Sequence, residues 1–231
     1  MTRVLSLPEE IMLLALHDEE GTIEMGSMYQ YAVGGAVLAE LLMRNRILLD
    51  SSKKKLVRLV LAKPLGEPLL DDCLNQIQDS KKQRPAQTWV TNFANTKDLK
   101  HKLAMQLCDR GILRADEDKV LLLFTRKIYP EIDPQPEGEV VERLRQAVLT
   151  ETEHLEPRTV VLVSLADSSG LLKTVFDKRV LKDRAERIKR IANGDAMGKA
   201  TKEAIEAVQA ALFVACIMPV VMTTVVTTTT R

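Results

Sequence analysis

Two stretches of this chain are apolar on every side of a helix, and such a helix must be enclosed by other helices. The first is TVVLVSLA at 159–166, which follows Pro157, and the second is AALFVACIMPVV near the C-terminus. The second run is shorter than the roughly 20 apolar residues that a bilayer requires, and Glu206, Gln209 and Pro219 interrupt its surroundings. Both stretches therefore predict interior helices of a protein core.

The N-terminal residues predict a well-capped helix. Ser6 and Glu9 stand at capping-box spacing, and Pro8 falls in the first turn, where its missing N–H costs nothing. The apolar run Ile11–Leu16 follows, and Gly21 is the predicted terminator. Aromatic residues are only 3% of the chain, so the predicted core is mostly aliphatic, as in packed helices.

Helical periodicity continues along most of the chain. A second helix is predicted from about Met28 to Arg44, with Gly34 and Gly35 inside it, where they permit either a close helix crossing or a gap that faces a ligand. Further helices are predicted around 70–77, 89–93, 99–107, 140–148 and 171–176, and a single basic amphipathic helix over 177–194. No linker is long enough to demand two domains, so residues 1–231 are expected to form one.

Two β-hairpins interrupt the helices. Ile47–Leu49 and Leu56–Leu61 are β-prone runs around a polar turn, and residues 112–124 repeat the pattern 65 residues later. Each copy is a helix that runs into a hairpin, the layout of a winged-helix unit. The first hairpin carries four basic residues, Lys53, Lys54, Lys55 and Arg58. They are either solvated turn residues or residues that attract the protein to an anionic membrane leaflet.

The sequence offers little for catalysis, metal binding or cofactor binding. His17, His101 and His154 are isolated, and Cys73, Cys108 and Cys216 are too scattered for a zinc site or a disulfide framework. No glycine-rich phosphate loop is present. We therefore expect a reducing, intracellular setting and no enzyme activity, cofactor or metal.

Several segments, in order along the chain, resemble the Golgi phosphoprotein 3 family: LSLPEEIMLLALHDEEG, LAELLMRNRILLD, DRGIL, VLLLF and the apolar C-terminal run. The resemblance spans nearly the whole chain. It implies an all-α fold, with a hydrophobic central helical bundle ringed by amphipathic helices and a projecting β-hairpin. It also implies a peripheral membrane protein, since eukaryotic members bind phosphatidylinositol 4-phosphate and recruit glycosyltransferase tails; the family also has bacterial members.

The family's lipid pocket maps onto altered residues in this chain. Its tryptophan corresponds to Met25, its second-helix arginine to Gly34, and its later pair of arginines to Lys97 and Lys100. Lysine meets a phosphate as a point charge and lacks the bidentate fork of arginine, so weaker or different headgroup recognition is implied. Arg126 and Lys127 are expected to flank this site.

The apolar run of the second hairpin matches the family's membrane-inserting and self-associating element. Its residues are Val120, Leu121, Leu122, Leu123 and Phe124. A strand of the core is an equally good interpretation of this run. Likewise, Lys97 and Lys100, expected one turn apart on one helix with His101, are either a solvated helix face or an anionic-headgroup site.

The leading hypothesis is a protein peripheral to the cytosolic face of a membrane, attached through anionic phospholipid or phosphoinositide headgroups. A second is an adaptor whose acidic surface grips the basic cytosolic tails of membrane proteins, and a homo-oligomer through the hairpin is compatible with either. Nucleic-acid binding through the winged-helix-like units is disfavoured, because the net charge is only +1 and neither unit has a continuous basic recognition helix.

Overall fold

The computed structural model describes residues 4–16, 23, 28–52, 54–120, 124–152 and 155–194, with side chains described outside positions 28 and 118–126. The helices in these ranges are α1 (Leu7–Ala15), α2 (Met28–Met43), α3 (Pro68–Gln78), α4 (Ala86–Ala94), α5 (Leu99–Asp109), α6 (Gln135–Leu149), α7 (Pro157–Ser169), α8 (Leu172–Val175), α9 (Lys178–Asp183) and α10 (Ala185–Ala192). The strands are β1 (Ile47–Leu49), β2 (Val57–Leu59), β3 (Asp116–Val120) and β4 (Phe124–Ile128). The fold is all-α with two short hairpins, as the sequence predicts.

Helices α1, α2 and α7 form the centre of the bundle. Every residue of α1 is buried, and α7 buries a continuous run from Thr159 to Ala166. Helix α2 packs against α1, α4 and α7, while the amphipathic helices α3, α5, α6 and α10 surround this centre with one apolar face inward. The prediction that 159–166 is an interior helix is confirmed. The second apolar run, AALFVACIMPVV, lies outside the described residues.

The first helix begins as predicted and ends earlier than predicted. The Glu9 carboxylate accepts hydrogen bonds from the backbone N–H of Ser6 at 2.7 Å and from its hydroxyl at 2.9 Å. At the other end, Leu16 turns extended (φ −78°, ψ 146°), so the helix stops where the apolar run stops. The prediction of Gly21 as terminator is therefore wrong, and Gly21 itself lies outside the described residues.

Gly34 marks a close crossing of α2 and α4. A Cβ atom built on Gly34 would lie 2.5 Å from the carbonyl oxygen of Val90 and 3.0 Å from the backbone nitrogen of Ala94. Only a residue without a side chain lets the two backbones approach this closely. Of the two interpretations of Gly34, the close crossing is the one observed.

Each hairpin follows a helix, as the 65-residue offset indicates. β1 and β2 pair antiparallel with Leu48 opposite Arg58, and β3 and β4 pair antiparallel with Val120 opposite Phe124. The second hairpin is longer, since an isolated bridge between Leu113 and Glu131 extends its base. Val120 ends β3 and Phe124 begins β4, while the residues of this apolar run between them, 121–123, lie outside the described residues. Both interpretations of the run, a membrane-inserting or self-associating element and a core strand, therefore stay predictions.

The basic segment over 177–194 forms two helices, not the single helix predicted. The break is at Arg184 (φ −104°, ψ 8°), whose guanidinium lies 2.7 Å from the carboxylate of Glu151. The change of direction allows α10 to bury Ile188 and Ile191 against α7, whereas α9 has no fully buried residue. Gly194, with φ of 66°, closes the segment as expected.

Candidate functional site

The two lysines of the predicted headgroup site lie at the start of α5. Lys97 is exposed and belongs to the turn that precedes the helix, and Lys100 is half-buried in its first turn. Asp98, between α4 and α5, has a left-handed backbone (φ 55°). The prediction that both lysines share one helical face is therefore wrong, because the helix begins only at Leu99. The two lysines are still only three residues apart, one in the turn before α5 and the other in the first turn of that helix.

Lys100 and His101 contact the base of the second hairpin through Tyr129. The Lys100 ammonium lies 5.7 Å from the centroid of the Tyr129 ring, within cation–π range. His101 Nδ1 lies 2.6 Å from the Tyr129 hydroxyl oxygen, a hydrogen bond in which either atom can donate. Tyr129 is buried, and this burial, with a smaller effect of Cys108, raises the pKa of its hydroxyl.

Phe124, the first residue of β4, lies well away from Tyr129 and thus from Lys100. Tyr129 directly follows β4, and five residues of extended chain from Phe124 span about 16 Å. Lys100 therefore meets the hairpin at its base. Lys100 would thus contact a headgroup at the base of the hairpin, while the Val120–Phe124 run at its other end would contact lipid chains.

Acidic residues lie opposite the basic residues of β4. In the antiparallel register Lys127 is the partner of Glu117, and Arg126 is the partner of Asp118. Opposite charges at directly facing positions stabilise a strand pair, by about 0.2–1 kcal/mol. Pairing with the acidic residues of β3 is thus an alternative explanation for the presence of Arg126 and Lys127, beside the predicted role of flanking the headgroup site.

Gly34 and Met25 are the other two predicted headgroup positions. Gly34 faces the α4 backbone, so the site of the family's second-helix arginine is occupied here by a helix crossing. Met25 lies outside the described residues. The resemblance maps four pocket positions onto this chain, and two of them, Lys97 and Lys100, are basic. The structure describes the surroundings of both lysines.

A buried network of glutamates and arginines, which the sequence does not predict, joins the start of α1 to five other segments. Arg158 of α7 contacts Glu10 at 3.1 Å and Glu40 of α2 at 3.1 Å, and it donates to the carbonyl oxygen of Leu5 at 2.5 Å. Arg143 of α6 lies 2.8 Å from Glu10, a contact of opposite charges without hydrogen-bond geometry. The two glutamates are at most 2% exposed.

The same network continues to α5 and to the loop before α3. Arg110 lies 2.7 Å from Glu9, while Arg44 lies 2.6 Å from Glu40 and 2.5 Å from Glu67. Burial alone lowers the pKa of Arg44, but its glutamate neighbours outweigh that effect and raise it. The paired residues are up to 148 positions apart, so no local spacing in the sequence could have revealed them.

A cavity of about 370 Å³ opens beside this network. It is lined by Glu9, Gly66, Glu67, Pro68, Gln106, Asp109 and Arg110. Three carboxylates against one guanidinium give the lining an acidic balance. The Gln106 side chain is fixed there, because its oxygen accepts the backbone N–H of Leu69 at 2.7 Å.

No cluster of three or more His, Cys, Asp or Glu side chains in the described ranges is arranged to hold a metal. Cys73 is an unreactive core residue, since burial is the main cause that raises the pKa of its thiol to about 12. Among the helices that the structure describes, none is both long and apolar enough to cross a bilayer.

The chain is similar to a known protein family and to known proteins. A family model described as Golgi phosphoprotein 3 (GPP34) matches residues 7–208. The vacuolar protein sorting-associated protein 74 of Schizosaccharomyces pombe is 26% identical over 220 residues, an alignment that covers 81% of this chain and 65% of that protein. The chain thus spans a little under two thirds of the length of that relative.

Proposed function

This chain belongs to the Golgi phosphoprotein 3 family, and from that premise we propose that it is a peripheral membrane protein that binds anionic lipid headgroups. Lys97 and Lys100 contact phosphate, and the β3–β4 hairpin reaches into the interface of the bilayer. The membrane face is the cytosolic one.

The observation that carries this proposal is the contact of Lys100 with Tyr129 at the hairpin base. It joins the turn that holds both lysines to the element that bears the apolar segment Val120–Phe124. Each basic residue near an anionic surface contributes about 1 kcal/mol of attraction. Two lysines at the base of the hairpin and an apolar run at its other end therefore supply both kinds of contact that a peripheral protein uses.

Headgroup selectivity is expected to be modest. Lysine presents a compact charge without a fixed fork of donors, so it attracts any phosphate more than it selects one inositol isomer. Gly34 adds no cation because it is packed against α4. We therefore expect phosphoinositides to be bound chiefly through their greater charge.

Vesicle co-sedimentation tests the proposal. The variant K97Q/K100Q removes two charges that attract the surface, about 2 kcal/mol in total, and should weaken binding to anionic vesicles about 30-fold. The matched control is K178Q/K182Q, which removes two exposed charges from α9. The control should change binding less than threefold.

The outcomes separate clearly. The wild-type chain should bind better as anionic lipid is added, and salt should reverse the gain because exposed charges are screened. Equal binding of both variants and the wild-type chain to anionic vesicles would refute the role of Lys97 and Lys100. The thermal unfolding of K97Q/K100Q is measured in parallel, since loss of the contact with Tyr129 costs about 0.5–1 kcal/mol.

The apolar tip of the hairpin has its own test. The variant L121S/L122S/L123S should weaken vesicle binding at high salt, where the charge contribution is small. If the tip instead pairs two copies of the chain, the variant should lower the apparent mass in concentration-dependent sedimentation and leave vesicle binding unchanged.

A second candidate function is an adaptor for basic tails of membrane proteins, and the acidic lining of the cavity beside Glu9 favours it. Asp109 is an exposed member of that lining and can be changed without disturbing the core. D109N should weaken binding of a lysine- and arginine-rich peptide about threefold, the loss of one exposed ion pair. D79N, which removes an exposed acid at the end of α3, is the control.

A further inference from the structure

The first hairpin carries an exposed apolar surface. Among described side chains, five of the eight large apolar residues that are exposed lie between positions 43 and 61. They are Met43, Leu48, Leu59, Val60 and Leu61. Within this group, Leu48 lies opposite Arg58 in the register, so these two side chains are neighbours on one face of the hairpin. Val60 and Leu61 follow β2 directly, and their backbone N–H groups both donate to the carbonyl oxygen of Arg46, two residues before Leu48.

The same segment concentrates positive charge. Residues 43–63 contain seven lysines and arginines and one acidic residue, Asp50, a net charge of +6, so the rest of the chain carries −5 of the overall +1. Lys54, Arg58 and Lys63 are exposed, and none of them forms an ion pair with another residue of the described ranges. Their charge is therefore available at the surface.

The turn between the strands is held in a fixed shape. The Asp50 carboxylate accepts hydrogen bonds from the Ser52 hydroxyl at 2.7 Å, the Ser52 N–H at 3.2 Å and the Leu56 N–H at 2.8 Å. The bond from the Ser52 hydroxyl is the main cause that lowers the pKa of Asp50. The one acidic side chain of the segment is thus engaged in its own turn.

This surface is separate from the lysines at α5. The Val57 N–H donates to the carbonyl oxygen of Arg84, and the Ala86 N–H donates to that of Lys55, so the hairpin adjoins the start of α4. Lys97 follows the end of that helix, which is nine residues, or about 14 Å, long. One helix therefore separates the two regions.

We propose that the β1–β2 hairpin is a second lipid contact, in which Leu48 and Val60 enter the interface of an anionic bilayer while Lys54 and Arg58 meet its phosphates. This extends the proposed function to a second surface and rests on it for the membrane setting. An acidic protein or a nucleic acid would meet the cations but leave the aliphatic side chains in water. A bilayer accommodates both, because apolar groups reach its acyl boundary beneath a layer of phosphate.

Two variants of the full chain separate the charge from the apolar contribution in vesicle co-sedimentation. On vesicles of phosphatidylcholine with 30% phosphatidylserine (about that fraction suffices for a negative surface potential), K54Q/R58Q should bind about 30-fold more weakly at low salt. L48S/V60S should bind about tenfold more weakly, and its deficit should persist at high salt, because burial of apolar area is not screened. K178Q/K182Q again serves as the charge-matched control.

Insertion is measured directly with L48W on vesicles that carry bromine on the acyl chains. The native tryptophan, Trp89, is only 3% exposed, so the added fluorescence reports on position 48. Quenching of that added fluorescence supports the proposal. If the fluorescence of L48W is not quenched although the protein is bound to the vesicles, the proposal is wrong. It is also wrong if K54Q/R58Q and L48S/V60S bind vesicles as well as the wild-type chain does. That second outcome counts against the proposal even where these variants lose affinity for duplex DNA or an acidic polypeptide.

The results also distinguish this inference from the site at α5. If K97Q/K100Q binds as the wild-type chain does while the hairpin variants bind weakly, the α5 site fails and the hairpin contact stands. If only K97Q/K100Q binds weakly, the hairpin contact fails. A wild-type chain that does not bind anionic vesicles at all refutes both.

Discussion

Replacing Gly34 by alanine should destabilise the protein, because α2 and α4 cross where Gly34 has no side chain. The new Cβ atom would lie 2.5 Å from the carbonyl oxygen of Val90, while ordinary contacts of a Cβ atom begin near 3.4 Å. The helices must therefore separate locally by about 0.9 Å. The nearest atoms belong to backbone, which cannot move aside as a flexible side chain would.

The expected magnitude follows from two opposing effects. Overpacking of a close-packed interior costs typically 1–3 kcal/mol, and alanine in place of glycine within a helix gains about 1 kcal/mol. Because the clash at Gly34 is with backbone atoms, the overpacking cost should lie in the upper part of that range, about 2–3 kcal/mol, so the G34A variant should lose about 1–2 kcal/mol in the free energy of unfolding. For a chain of this length that corresponds to a fall in Tm of about 3–6 °C.

G138A is the matched control for this prediction. Gly138 lies inside α6, and a Cβ atom built on it meets nothing within 4 Å. G138A should therefore gain about 0.4–1 kcal/mol from the same change of residue type. Urea unfolding followed by circular dichroism measures both variants. A G34A variant as stable as the wild-type chain, beside a stabilised G138A, would refute the close crossing.

Three further predictions concern the ion pairs, the thiols and the first hairpin. R158M should lower the free energy of unfolding by about 3 kcal/mol in urea denaturation, because it removes one of the two guanidinium groups that meet each of the buried carboxylates of Glu10 and Glu40. K102Q, which breaks the exposed pair of Lys102, should cost less than about 1 kcal/mol, and equal effects would contradict the burial of the network. Iodoacetamide at pH 8 should modify Cys108 before Cys73 in peptide mass spectrometry, because the pKa of the Cys73 thiol is about 12, and rapid labelling of Cys73 in folded protein would disprove its burial. The lowered pKa of Asp50 means that its stabilisation of the turn is present above the ordinary value of 3.8 and is lost as the pH falls through the lowered pKa. Amide exchange in the 50–56 turn should accelerate below that pH and in D50A at neutral pH, and unchanged exchange in D50A would contradict the role of this carboxylate.

Local patterns predict the elements of this fold well. The spacing of Ser6, Pro8 and Glu9 predicts the start of α1, and the apolar stripes predict α3 to α7, because these features depend on residues within one or two helical turns. The break at Arg184 escapes the pattern. It depends on Glu151, more than thirty residues away, and on the packing of α10 against α7.

The sites depend more on long-range contacts than the helices do. The sequence indicates Lys97 and Lys100, yet the contact of Lys100 with Tyr129 is visible only in three dimensions, since 29 positions separate the two. The sequence indicates Glu9 only as part of a capping box, and it does not predict the arginine partners of Glu9 and Glu10 on α5, α6 and α7. An apolar and basic composition marks the first hairpin, but only the register places Leu48 beside Arg58.

The glutamate–arginine network also bears on how the chain is completed during synthesis. Glu10 leaves the ribosome 148 residues before its partner Arg158. At about 5–20 residues per second, that interval is about 7 to 30 s. Until Arg143 and Arg158 are made, burial of α1 would leave the Glu10 carboxylate without a cation, so we expect the nascent N-terminal helix to stay hydrated until α6 and α7 follow.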